Sequence, residues 1–169
     1  MKRIVSIIIL STLFWTGCEN REGTPGITDT EILIGNIQDL SCPIKELGLL
    51  IPAGSNMYLD YINEQGGVHG RQIKMLVEDH QYNPQKSVVA AKKLIEKDQV
   101  FCLYNVVGTS PAEALRPILE ESGVPLIAPA TMSSSMADMS RQAAQYIFHT
   151  DAGYDLQTRV IIDYILENN

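Results

Sequence analysis

Ile62-Asn63-Glu64-Gln65-Gly66-Gly67-Val68-His69-Gly70-Arg71 leads directly into Gln72-Ile73-Lys74-Met75-Leu76-Val77-Glu78-Asp79. The adjacent glycines Gly66 and Gly67 close an amphipathic segment, because a helix end calls for a residue at positive φ and glycine adopts it without a Cβ clash. Gly70 then turns the chain into an alternating strand in which Ile73, Met75 and Val77 share one face. Helix, glycine turn and strand in that order form the second half of a βαβ unit.

The same alternation extends in both directions. Residues 31–37 read as the first strand, and the helix before the glycines is expected over 51–65, with Pro52 in a first turn that needs no donor. Asn83-Pro84 supplies an N-cap and an N1 proline for a helix over 84–98, whose apolar stripe is Val88, Ala91 and Ile95. Residues 100–107 are apolar but for Asn105, as in a strand buried on both faces. Ser110-Pro111-Ala112-Glu113 is spaced as a capping box opening a third helix, which Pro117 should kink. Residues 124–130 and 145–150 read as the fourth and fifth strands, and 154–167 as a last helix. Strands alternating with helices of this length predict right-handed βαβ units, hence an α/β three-layer sandwich with a mostly parallel sheet.

Composition narrows the function. The 169 residues suffice for one well-buried domain, and 45% hydrophobic with 20% charged residues excludes disordered and low-complexity classes. The net charge is −7 and nothing basic clusters beyond Lys92-Lys93, so no nucleic-acid partner is expected. At the amino end, Lys2 and Arg3 precede an apolar run from Ile4 to Trp15. That run is shorter than the ~20 residues of a membrane-spanning helix and fits a secretory signal. Its end, Thr16-Gly17-Cys18, resembles a bacterial lipoprotein processing site, with a plain signal peptide or an uncleaved anchor as the alternatives. The expected organisation is a lipoprotein-type signal peptide over 1–17, lipidation at Cys18, a tether over 18–27 and a folded domain over 28–169, which the resemblance described below implies is a ligand-binding lobe. Cys42 and Cys102 read as free thiols.

In such sheets ligands bind beyond the carboxyl ends of the strands. Gly108-Thr109-Ser110 places a close-approach glycine, hydroxyls and a helix N-terminus together, a combination suited to a carboxylate. Ser110 acting only as a helix cap is the competing reading. Ala130-Thr131, directly after the fourth strand, offers backbone groups and a hydroxyl to a zwitterion, or else is a simple turn. No G-x-G-x-x-G follows the first strand, and the sequence has no P-loop, G-x-S-x-G or H-E-x-x-H. His69, His80 and His149 lack ligand spacing, so no metal, no cofactor and no catalysis is expected.

The phrase 62–79 resembles the signature of periplasmic amino-acid-binding proteins of the leucine/isoleucine/valine type, the capture subunits of ABC importers, and the later segments fall in the same order. The resemblance implies the first lobe of a type I periplasmic binding protein fold. It also implies a small amino acid as ligand, the importer's membrane subunits as partners and an exported, lipid-anchored location. It further implies that Ser110 receives the ligand carboxylate and that Ala130 and Thr131 contact the amino-acid backbone. Leu47-Gly48 stands where the family often shows Tyr-Gly, so Leu47 would give apolar contact without a flat ring. Ser41-Cys42-Pro43 replaces Ser-Gly-Pro, and Asp79-His80 stands where consecutive acids are usual. Family members have a second lobe that closes on the ligand, so this chain is expected to be an incomplete, truncated version. A receptor sensing domain and a small amide- or urea-binding protein are the alternatives.

Overall fold

The computed structural model describes residues 23–42, 44–136, 138 and 142–168. The apolar run and Cys18 lie outside the described residues. Strand β1 (Glu31–Gln38) pairs in parallel with β2 (Gln72–Asp79) in unbroken register, from Glu31 opposite Gln72 to Gln38 opposite Asp79. The strands β3 (Cys102–Tyr104), β4 (Leu126–Ile127) and β5 (Ile147–Phe148) complete a five-stranded, all-parallel sheet of order β2-β1-β3-β4-β5. The helices are α1 (Lys45–Glu64), α2 (Pro84–Lys92, continuing as a π-helical turn Lys93–Lys97), α3 (Thr109–Glu113), α4 (Arg116–Ser122) and α5 (Tyr154–Glu167). The three-layer parallel α/β fold is as predicted.

The period of two along each strand sorts the layers. Leu33, Gly35 and Ile37 of β1, Leu103 of β3 and Leu126 of β4 face Leu94, Leu115 and Leu119, which come from the π-turn, the α3–α4 junction and α4. Those leucines are fully buried and form the core. On the opposite face Ile32 and Ile34, Cys102 and Tyr104, and Ile127 line one cleft with α1, which lies over β1 and β2 and contributes Ser55, Tyr58 and Leu59. An apolar cleft of about 390 Å³ opens there beside α1. Burial in this layer pushes the Cys102 thiol up to about 11, and Cys42 and Cys102 are both free.

Several predicted boundaries move. Helix α1 begins at Lys45, so Leu47 and Gly48 are helical and Pro52 sits inside the helix instead of in its first turn. The cause lies just upstream: buried Asp39 accepts hydrogen bonds from the Cys42 and Ile44 amides (2.8 and 3.1 Å), capping from outside a helix whose own N-cap, Ile44, has no side-chain bond to give. Strands β3 and β4 are shorter than expected because Asn105 and Ala128 adopt positive φ (53° and 49°) and interrupt pairing, which resumes only as a Val107–Ala130 bridge. Pro117 does more than kink the third helix. It falls in the first turn of α4, separate from α3. The Ser110 capping box does not form, since Gly108 is the N-cap of α3 and no side chain caps it. The fold also reaches past Thr28 into the segment expected as tether: Ile27 bridges to Ile32, and Gly26 packs against the backbone of Val100 and Phe101, where a Cβ would come within 2.1 Å of the Phe101 nitrogen.

Candidate rim site at the carboxyl edge of the sheet

All five strands being parallel, their carboxyl ends share one edge, and side chains lace the loops there into a rim. Asp79 at the end of β2 accepts from the Leu40 amide (3.0 Å), the Ser41 hydroxyl (2.6 Å) and the Gln81 amide (2.9 Å). Partial burial works against its charge, but these hydrogen bonds together with the neighbouring His80 hold the carboxyl below its ordinary value. His80, fully buried, accepts the Tyr82 amide at Nδ1 (2.9 Å), so its proton sits on Nε2 and is donated to the Val107 carbonyl (2.8 Å). Asp79 and His80 thus hold two successive residues, Gln81 and Tyr82, at positive φ (52° and 50°). This turn lays the Tyr82 ring on Gly108, where a Cβ would stand 2.6 Å from the ring and where φ is 92°. Glycine at 108 is required twice over.

Burial lowers the His80 pKa from 6.5, and the Val107 hydrogen bond and the carboxylates of Asp39 and Asp79 offset this only in part. The folded state therefore takes up a proton less readily than the unfolded chain. Stability is full above the unfolded value of 6.5 and falls as the pH drops below it, by at most about 1.4 kcal/mol per pH unit until the folded value is reached. Asp79 adds a loss only in the acid range below 3.8. Urea midpoints at pH 7.5 and 5.5 should differ in wild type and converge in His80→Gln. An equal drop in the variant would remove His80 as the cause.

The sequence candidates come together here. Thr109 and Thr131 join hydroxyl to hydroxyl at 2.7 Å, the Gly108 amide donates to the Ala130 carbonyl (3.3 Å), and Thr131 is almost fully buried. The Thr109 and Ser110 amides open α3 and have no intrahelical acceptor. Ser110 is exposed at the rim. With five residues, α3 contributes donors and little dipole. Leu47 stands apart in the first turn of α1, half its surface in solvent. The loop after β4 is anchored by Glu113, which accepts from the Ser133 (2.8 Å) and Ser135 hydroxyls, while Arg116 donates to Ser135 (2.9 Å).

Sequence reasoning missed the buried amides Asn36 and Gln38. Asn36 donates to the Tyr104 carbonyl (2.9 Å) and Gln38 to that of Asn105, pinning the positive-φ Asn105, and their own oxygens have no partner among the described residues. The signal was present, since amides at alternate positions break an otherwise apolar face of β1 exactly where the rim begins. Among the described residues no cluster of three His, Cys, Asp or Glu side chains is arranged for a metal, and no helix is long and apolar enough to cross a membrane.

A sequence profile for periplasmic binding proteins matches residues 31–169. The chain belongs to the periplasmic binding protein family. Its relatives include the Leu/Ile/Val-binding protein homolog 3 of Brucella melitensis, 26% identical over 138 residues, which are 82% of this chain and 36% of that protein. The leucine-, isoleucine-, valine-, threonine- and alanine-binding protein of Pseudomonas aeruginosa is 28% identical over 125 residues, 74% of this chain and 32% of that one. A branched-chain amino acid ABC transporter protein of Thermus thermophilus with bound valine shares the fold at a TM-score of 0.74 and 21% identity, over 85% of this chain and 36% of that one. A fatty acid ABC transporter substrate-binding protein from Thermomonospora curvata matches at TM-score 0.74 and 27% identity, over 85% of this chain and 35% of that one. This periplasmic binding protein chain spans about a third of the length of the curated relatives it matches.

Proposed function

We propose that the chain is the first lobe of an extracytoplasmic solute-binding protein that captures small amino acids of the branched-chain type for an ABC importer. The observation that carries this reading is the Thr109–Thr131 hydroxyl pair beside the open amides of α3. Those donors suit a ligand carboxylate, and Ser110 adds a hydroxyl at solvent reach. The titratable rim groups are committed elsewhere: Asp39, Asp79 and His80 all serve backbone groups, and none is aimed as a base or nucleophile. Binding without chemistry is what such a rim can do, and the relatives are binding proteins. Amide NMR of the chain titrated with leucine, isoleucine, valine, glucose and AMP tests this. Amino acids should move the resonances of Gly108, Thr109, Ser110, Ala130 and Thr131, whereas movement with glucose or AMP alone would sink the assignment.

We further propose that the chain is exported and anchored through a lipid on Cys18. The motif Thr16-Gly17-Cys18 after the apolar run supports it. A single acyl chain holds a membrane only marginally, at ~0.8 kcal/mol per buried methylene, so stable attachment needs the additional chains a lipoprotein carries. Labelled palmitate should enter the wild-type protein and be absent from Cys18→Ala, and label persisting in the variant ends this proposal.

A further inference from the structure

One imidazole joins the turn after β2 to the loop after β3. The backbone of His80 is fixed on both sides, its amide donating to the Gln38 carbonyl (2.9 Å) and its carbonyl accepting the Asn83 amide (2.8 Å). Its ring is fully buried between the two loops. On one side Nδ1 accepts the Tyr82 amide, and the Tyr82 ring meets the imidazole edge-on, centroids 6.3 Å apart, while lying against Gly108. On the other side Nε2–H donates to the carbonyl of Val107, the residue before Gly108. The same ring thus holds Gly108 from two directions. From there the restraint passes on: the Gly108 amide donates to the Ala130 carbonyl, Val107 bridges to Ala130, and the Thr109 hydroxyl meets that of Thr131.

Only one protonation state suits this arrangement. A neutral imidazole with its proton on Nε2 has one donor and one acceptor, and both are used here. An imidazolium has two donors, so Nδ1–H would face the Tyr82 N–H. The turn that keeps Gln81 and Tyr82 at positive φ would lose the bond that closes it. We infer that His80 is a positioning residue of the rim: its neutral ring sets Gly108 and the donors that follow it, and a second proton on the ring releases them. That those donors, on Thr109 and Ser110, serve a ligand rests on the function proposed above; that the ring holds them does not. The charged groups acting on the ring are Asp39, just beyond β1, and Asp79, the last residue of β2, and both favour the second proton. Burial disfavours it more strongly, so the ring takes it up below the ordinary histidine value. The loop after β3 faces the ring with a carbonyl, and Lys86 of α2 is engaged with the Gln81 side chain.

Proton–nitrogen NMR of the full chain without ligand tests the positioning directly. At neutral pH the His80 ring should carry its proton on Nε2. Between about pH 7.5 and 5 the Tyr82, Gly108 and Thr109 amides should then shift with the ring's own midpoint. In His80→Asn, whose side-chain oxygen stands near the place of Nδ1 and does not titrate, those shifts should vanish. His69 and His149 remain in that variant, so any titration of theirs would persist there. A second arm follows leucine binding by the same resonances. Affinity should be on the order of threefold weaker at the acid end in wild type and unchanged in His80→Asn. Rim amides that stay still while the His80 ring titrates would overturn the inference, as would a ring that stays neutral throughout or an equal pH effect in the variant. The wild-type titration decides by itself where the variant does not fold. A chain that binds no leucine at either pH would end the amino-acid reading instead, with the first arm still deciding the positioning.

Discussion

Joining a second lobe from a branched-chain amino acid-binding relative to this chain is expected to tighten leucine binding on the order of a hundredfold to ten-thousandfold. On the proposed reading the rim would contact one side of a ligand and a second lobe the other. A few hydrogen bonds to a charged group, at ~1.5–3 kcal/mol each, set against the loss of translational and rotational freedom, leave affinity near millimolar for the lobe alone. Bonds from a second lobe add to these without a second loss of that freedom. Titration calorimetry on the joined protein measures the gain directly. In that background Ser110→Ala should cost at least ~1 kcal/mol of binding, and Thr131→Val should cost more, since it also strips Thr109 of its partner. Tight binding of a sugar or nucleotide with no response to any amino acid would overturn the ligand assignment. An unchanged affinity in Ser110→Ala would leave that serine as an exposed residue of α3 and nothing else.

The second large effect concerns a pair of glycines in one helix. A Cβ on Gly48 would stand 1.9 Å from the Asp39 carbonyl oxygen and 3.1 Å from the Asp39 nitrogen, and both are backbone atoms that a rotamer change cannot move. Asp39 is the residue whose carboxylate starts α1, so Gly48→Ala would push the helix off its own cap. We expect a loss of roughly 3 kcal/mol or more, a large part of the 5–15 kcal/mol that holds a domain together. Gly54, in the same helix, has nothing within 4 Å of the corresponding position. There Gly54→Ala should stabilise by up to ~1 kcal/mol, because alanine is the better helix former. Urea denaturation of both variants should show midpoints moving in opposite directions. A Gly48→Ala midpoint close to wild type would mean that α1 slides along the sheet at no cost.

Where local chemistry decides, the sequence was informative. Asn83-Pro84 capped α2 as expected, the Asn83 side chain accepting the Lys86 amide at 3.1 Å. The phrase 62–79 ended a helix and opened a strand where the glycines placed that change, with Gly66 and Gly67 both at positive φ. The start of α1 was misplaced because its cap is Asp39, which no spacing rule connects to residue 45. The capping box at Ser110 failed for a related reason. A positive-φ glycine under the Tyr82 ring already turns the chain into α3, and the serine falls two residues too late to cap it.

By itself the sequence determined the order of strands and helices, the parallel α/β class and the segments that would carry the rim, because period, caps and turn residues act within a few neighbours along the chain. Only the tertiary structure decided that Thr109 meets Thr131, that His80 bonds Val107 and that Asn36 and Gln38 pin Asn105. Each of these joins residues more than twenty positions apart, through strands that become neighbours only when the sheet assembles. Such contacts leave no periodic trace in the chain; they arise from the order β2-β1-β3-β4-β5, which brings the ends of distant strands to one edge.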